Sequence, residues 1–241
     1  MINTYSESTL HKTLKSLYSL EDGFRTEVEC DGKIYDIVDA KGNIIEIQTK
    51  NVSKLLDKTT NALEKGRKIK IVYPVILRKN IELYDSDGNR ISKRKSPVQG
   101  SIYDMFHEIT GLYPVLLKKG FTLDVLEITM TEQRIRTGEP VQSPNGRRRF
   151  RRNWNKTDKM LDQIVCSHTF KKAADYLALL PKECLPEFSA KELAASLQAD
   201  KTLPSSAAHK AHLIIWVLSH MNLLELQEIK NRSHYYCIAG K

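Results

Sequence analysis

The chain has 241 residues, 41% of them hydrophobic and 28% charged, so it carries enough apolar material for two domains and does not have a disordered composition. There is no apolar run of about 18 residues, and Met1–Glu7 has no basic segment leading into an apolar one; a membrane span and a secretory signal are not expected, and a cytoplasmic location is. The net charge of +9 favours a polyanionic partner, because Lys and Arg neutralise phosphate. Cys30, Cys166, Cys184 and Cys237 are scattered and form no C-x-x-C pair, which fits reduced thiols and argues against a cysteine-only zinc site.

Residues 6–20 have the apolar spacing of an amphipathic helix, with Leu10, Leu14 and Leu17 on one stripe. Three short extended runs follow, Phe24–Glu29, Lys33–Val38 and Asn43–Lys50, separated by Asp31-Gly32 and Lys41-Gly42-Asn43, which predicts an antiparallel meander. A second helix is expected over Val52–Lys65, stopped by Gly66, and then a buried strand over Ile69–Ile76. Further along come a hairpin around Asp85–Asn89, a helix over Ser101–Leu117 and a long strand over Phe121–Arg136. Thr137–Asn145, with Gly138, Pro140 and Pro144, predicts an exposed turn or linker. Helical spacing is then read over Asp158–Cys166 and Lys171–Leu180, with a capped helix from Ser189, a longer helix over Ser205–Met221, and two strands, Leu223–Ile229 and Tyr235–Ala239. Helix, short helix, longer helix and hairpin spell a winged helix-turn-helix. The expected organisation is residues 1–145 as an α/β domain, 146–157 as a basic linker and 158–241 as the winged helix.

The chemistry sits in Asp36-Ile37-Val38-Asp39-Ala40-Lys41-Gly42-Asn43-Ile44-Ile45-Glu46-Ile47-Gln48-Thr49-Lys50. Alternation on a strand puts Glu46, Gln48 and Lys50 on one face; if the turn is centred on Lys41, Asp36 lies opposite Glu46, whereas a slip by one residue puts the two acids on opposite faces. Two converging carboxylates suit a hard divalent cation. The order helix, three strands, helix, strand over residues 6–77, with this Asp…Glu-x-Gln pattern, resembles the PD-(D/E)xK nuclease superfamily. The resemblance implies a restriction-endonuclease-like mixed sheet flanked by helices and an Mg²⁺-dependent DNA endonuclease, with Mn²⁺ as a substitute ion. Asp36, Glu46 and the carbonyl of Ile47 take the place of its metal ligands, and Glu7 that of its additional acidic residue. The family's usual lysine is Gln48 here, so Lys50 is the candidate for the positive group. Restriction-type members often cut as homodimers, though no dimer surface is legible in this chain.

Arg147-Arg148-Arg149-Phe150-Arg151-Arg152-Asn153-Trp154 is the most biased stretch, and Arg147, Arg148, Arg149, Arg151 and Arg152 are expected to contact double-stranded DNA. In the winged-helix reading Ser205, Ser206, His209 and Lys210 enter the major groove, while Lys230 and Arg232 at the hairpin tip touch the backbone. His11 lies one helical turn from Glu7, placed to tune a metal ligand. Two other readings share these features: a DNA-binding regulator with an inactive nuclease-like scaffold, and a structure-specific repair nuclease.

Overall fold

The computed structural model describes residues 7–143, 146 and 149–240. Helix α1 (Thr9–Tyr18) is capped by Ser8, whose hydroxyl accepts the His11 amide proton, and it leads into β1 (Arg25–Cys30), β2 (Lys33–Val38) and β3 (Ile44–Ile47). A 3-10 turn over Val52–Leu55 opens α2 (Leu56–Glu64), and β4 (Ile69–Tyr84) follows. Next come β5 (Arg90–Lys95), the short α3 (Met105–Ile109), β6 (Phe121–Val141) and β7 (Arg152–Phe170). Together the strands make a seven-stranded mixed sheet in the order β1-β2-β3-β4-β6-β7, with β5 paired to β4. The meander β1–β3 is antiparallel, β3 and β6 both run parallel to β4, and β7 returns antiparallel to β6. A parallel β3–β4 pair requires a crossover, and α2 supplies it.

Both faces of the sheet are covered, so the central strands are apolar on both sides. Leu10 and Leu14 of α1 pack on Ile47, Val72, Leu126, Ile128 and Met130. On the other face, Ile44, Ile69, Ile71, Tyr73 and Leu123 join Val52, Ala62 and Phe106 from α2, its opening turn and α3.

The last third is built from α4 (Ala173–Leu177), β8 (Glu187–Ser189), α5 (Ala190–Ala199), a 3-10 turn over Ser205–Lys210, α6 (Ala211–His220), β9 (Leu224–Lys230) and β10 (Ser233–Ile238). Its three strands form a second sheet in the order β8-β10-β9. Ser189 and Glu192 cap α5 reciprocally, as their spacing predicts. This part shares its core with the larger sheet: Phe170 stacks on Tyr176, Tyr103 donates to the Leu179 carbonyl at 2.9 Å, and Tyr176, Phe188, Ile214 and Leu218 belong to the same apolar cluster as Ile71.

Several expectations are corrected. The helix expected over Asp158–Cys166 is part of β7, and the stretch expected as a linker holds the start of that strand at Arg152. Three register shifts along the β6–β7 ladder, after Glu127, Thr129 and Gln133, break the two-residue alternation on which recognition of a strand depends. Strand β6 continues through Gly138 and Pro140 to Val141, and the ladder is irregular between Arg136 and Val141, where a proline is tolerated. The helix expected over Ser101–Leu117 shrinks to α3 between two 3-10 turns. Among the described residues no helix is long and apolar enough to cross a membrane.

A shared core predicts cooperative loss of both parts. In a Trp154→Phe variant, fluorescence of the remaining Trp216 on α6 should follow the same urea transition as the far-UV circular dichroism of the sheet. An earlier, separate Trp216 transition would show that residues 171–240 unfold independently.

Candidate active site

Two ladder pairs hold β2 to β3, Ile37 with Ile45 and Val38 with Ile44. Continued by one residue, that register sets Asp36 opposite Glu46, as the turn at Lys41 predicts. The pairing stops there. Tyr35 stays paired with Val28 of β1, while Glu46 and Ile47 stay paired with Ile71 and Val72 of β4, so the strands fork. A fork leaves backbone amides without ladder partners, and buried amides require acceptors. The two acidic side chains supply them: Asp36 N donates to Glu46 Oε1 at 3.1 Å, and Ile47 N donates to Asp36 Oδ2 at 2.8 Å.

This interlock changes the expected arrangement, in which both carboxylates converge side by side. Asp36 turns to α1, where Oδ2 lies 3.6 Å from His11 Nε2 and Oδ1 lies 3.5 Å from Lys15 Nζ. Glu46 turns to α2, where Lys58 Nζ lies 2.7 Å from Oε1. For Glu46 the neighbouring side chains agree, since Ile45 and Ile47 belong to the core beneath α1 and Ile44 to the core beneath α2; Val38, two residues from Asp36, also lies beneath α2, so Asp36 leaves the face its alternation assigns.

Glu7, His11 and Lys15 follow one another at the four-residue spacing that aligns side chains along a helix. Glu7 Oε2 is 3.3 Å from His11 Nδ1, and Glu7 Oε1 is 3.3 Å from Lys15 Nζ. Lys15 also pairs with Glu27, which the β1–β2 register sets across from Asp36. Glu27 has a φ of 52°, the left-handed region that a side-chain-bearing residue rarely adopts, so the sheet is irregular on both sides of Asp36.

Burial alone would raise the pKa of Asp36, but His11, the Ile47 amide and Lys15 hold it below the ordinary carboxylate value. Glu46 goes the other way. Burial, then the charge of Asp36, push it up to about 7 against the pull of Lys58. Burial works against protonation of His11, yet Asp36 and Glu7 raise its pKa above the ordinary value.

Glu7, His11 and Asp36 each offer a ligand atom, all within 4.8 Å of one another. The Ile47 carbonyl joins them, accepting from His11 Nε2 at 2.8 Å. His11 Nδ1 is buried and has no hydrogen bond among the described residues despite the nearby carboxylate. The carboxylate oxygens of Glu7 and Asp36 suit Mg²⁺, and with one imidazole nitrogen of His11 they suit Mn²⁺; the Ile47 carbonyl lies at the Nε2 edge of the ring, opposite the orphaned Nδ1.

Glu7, Asp36 and Ile47 therefore meet at one place, with Glu46 beside it. Gln48 and Lys50 do not join them: the Gln48 amide donates to the Lys50 carbonyl at 2.6 Å, and Lys50 is exposed. The cation beside Glu46 is Lys58. Its sequence carries no signal that separates it from Lys54 or Lys65 on the same segment, because the choice depends on how α2 lies over the fork. The same holds for Lys15 and Glu27.

Of the arginine run, Arg147 and Arg148 lie outside the described residues. Arg149 and Arg151 are exposed between β6 and β7, and Arg152 opens β7, so the run caps a strand pair and is not an interdomain linker. In the last third, Ser205 and His209 are exposed. Lys210 instead pairs with Asp104 at 3.0 Å, and the Ser206 hydroxyl donates to the Gln99 carbonyl at 3.5 Å, which turns both toward the body of the protein. Lys230 pairs with Glu228 and lies 3.6 Å from Glu187, while Arg232 is exposed.

Residues 8–171 match the family described as "Domain of unknown function (DUF8091)". The chain belongs to this family. The match begins at the cap of α1 and ends just after β7, so the family unit contains the whole seven-stranded sheet with the fork. An "Uncharacterized protein" of Treponema pallidum (strain Nichols) is 33% identical over 185 residues, covering 75% of this chain and 70% of that protein. No solved structure matches.

Since the folded pKa of Glu46 lies above the ordinary 4.5, the folded state holds a proton that the unfolded chain releases between about 4.5 and about 7. The stability this contributes is complete below 4.5 and lost as pH rises through about 7. In EDTA, Glu46→Gln should remove that slope and leave the protein more stable than wild type above neutrality, by on the order of 1–3 kcal/mol in urea denaturation.

Proposed function

We propose that this DUF8091 protein is a metal-dependent nuclease that hydrolyses phosphodiester bonds in duplex DNA, with the fork between β2 and β3 as its active site. The observation that carries this reading is the convergence of Glu7, His11, Asp36 and the Ile47 carbonyl at the end of the β2–β3 ladder. Support comes from the order helix, antiparallel meander, crossover helix and parallel strand around it, which is the order of the PD-(D/E)xK core.

Glu7 and Asp36 would hold the ion, with His11 Nδ1 as a further donor when the ring is neutral and the Ile47 carbonyl orienting the ring through Nε2. A divalent ion bound there supplies Lewis acidity that draws charge from a phosphate and acidifies water. The chain's own part is to set the field around it. Asp36, kept ionised by its neighbours, presents Oδ1 and Oδ2 toward α1. Lys15 balances the negative charge of Glu7, Glu27 and Asp36 and has to give up part of that pairing to an incoming cation. Lys58 fixes Glu46 from the α2 side of the sheet.

The duplex reading draws on the last third. Helix, strand, helix, helix and hairpin, with the first strand completing the hairpin's sheet, is the order of a winged helix. On that reading α6 and the β9–β10 turn face DNA through His209, His212 and Arg232, since Lys210 and Ser206 are committed to the body.

Supercoiled plasmid incubated with the protein should be nicked or linearised in Mg²⁺, at least as fast in Mn²⁺, and not at all in EDTA. Asp36→Asn and Glu7→Gln should each slow cleavage by about a hundredfold or more, within the range found when a group stabilising the transition state is removed. A protein that binds DNA but leaves plasmid, flaps and junctions intact in either metal would be a regulator on an inactive scaffold. Cleavage confined to flaps or junctions would make it a repair nuclease.

A further inference from the structure

We infer that Lys79, Arg134, Lys156 and Lys159, gathered about the buried carboxylate of Glu132, with Lys50 near Lys159, form a phosphate-binding site that carries duplex DNA from the fork along the β6–β7 ribbon. The inference rests on the proposed nucleic-acid substrate, but its geometry is independent of the metal ligands.

Glu132 is 1% exposed and lies directly across from Lys159 on β7, while Arg134 lies across from Lys156. Lys79 Nζ is 3.1 Å from Glu132 Oε2, Lys156 Nζ 2.9 Å from the same oxygen, and Arg134 Nε 2.8 Å from Oε1. Burial would raise the pKa of Glu132, but these cations take it down to about 2, so it is a permanent anion. One carboxylate cannot neutralise three cations, and two more stand beside them. Among the described residues the Lys159 ammonium makes no ion pair or hydrogen bond; it is partly buried, and the attraction of Glu132 is outweighed by burial and by the repulsion of Lys156, Lys50 and Lys79. The register shift that leaves Thr157 without a ladder partner puts Lys156 and Lys159 on the same face, where the ladder keeps them together. Like charges held close in a partly desolvated place are costly unless an anion joins them.

The position of the cluster identifies the anion as part of a polymer. Asp158, adjacent to Lys159, accepts the Thr9 amide proton at 2.9 Å, which fixes this part of β7 to the start of α1, two residues from Glu7 and from His11. In the other direction the same face carries Trp154, with Arg134 over its ring at 3.6 Å and Arg152 at 4.8 Å, and Arg152 also lies 5.1 Å from the ring of Phe150. A row of cations along the ladder, with Arg134 and Arg152 held on the Trp154 ring, suits the phosphates of a duplex backbone. From Arg152 to Lys159 the strand spans about 23 Å, or about seven base pairs of duplex, too long a track for a mononucleotide.

The test measures binding of a fluorescent duplex to the full chain in EDTA, by anisotropy over a salt series, so that cleavage plays no part. Lys156→Gln with Lys159→Gln should weaken binding at least tenfold and flatten the slope of log K against log salt by about 2, the loss expected for two phosphate contacts. Lys159→Arg should bind within about twofold of wild type, which separates charge from folding. A double variant with unchanged affinity and salt slope, or a wild-type chain that does not bind duplex in EDTA, overturns the inference. Duplex binding that fails only in the lysine variants upholds it even if no metal ever supports cleavage.

Discussion

The structure around the site depends on an early end to one ladder. Had β2 and β3 stayed paired past Ile37 and Ile45, the Ile47 amide would have had a backbone acceptor on Tyr35 of β2. Because the strands part, each carboxylate is needed to satisfy an amide across the gap. An unsatisfied buried amide costs about 1–3 kcal/mol, so the pair is fixed by backbone needs before any ligand arrives. The charged residues of α1 and α2 answer that arrangement: His11 and Lys15 meet Asp36, and Lys58 meets Glu46.

The opposite pKa shifts of the two acids follow from the same geometry. Asp36 receives a backbone amide and stands between two cationic groups of α1, so ionisation is favoured. Glu46 has Lys58 and one amide but is nearly sealed in and looks across at the negative charge of Asp36, so it holds its proton to about pH 7. When two coupled acids in one site differ this way, one is a standing anion and the other a reservoir for a proton. Glu46→Gln is therefore a test of charge: it keeps the shape and removes the titration.

Much of this part of the fold was legible because it obeys local rules. The apolar stripe of Leu10 and Leu14, the turns at Asp31-Gly32 and Lys41-Gly42-Asn43, and the apolar run from Ile69 all read correctly, and the turn at Lys41 even sets the register of Asp36 against Glu46. What stayed hidden depends on long-range placement. Lys58 was indistinguishable from its neighbours until α2 was laid over the fork, and Lys50 was assigned by an alternation that ends where β3 does. Strand β7 was misread for a different reason: Met160, Leu161, Ile164 and Val165 recur as on a helix because bulges displace the alternation, and as an edge strand it leaves Met160, Ile164 and Val165 well exposed.

That misreading also concealed how the basic residues are organised. Read as a linker followed by a helix, Arg149 to Lys159 would have been scattered around a cylinder and a flexible run. Read as a strand paired to β6, the same residues fall into rows, and the rows set Glu132 across from Lys159 and Arg134 across from Lys156, with Arg134 also over the Trp154 ring. A carboxylate buried beneath cations does more than reduce their repulsion. It fixes where Lys79, Lys156 and Arg134 stand, on a strand pair that Asp158 ties to the start of α1. Positive charge spread over flexible side chains attracts any polyanion, whereas charge fixed on a ladder beside a candidate metal site also sets where along the strand a phosphate comes to rest.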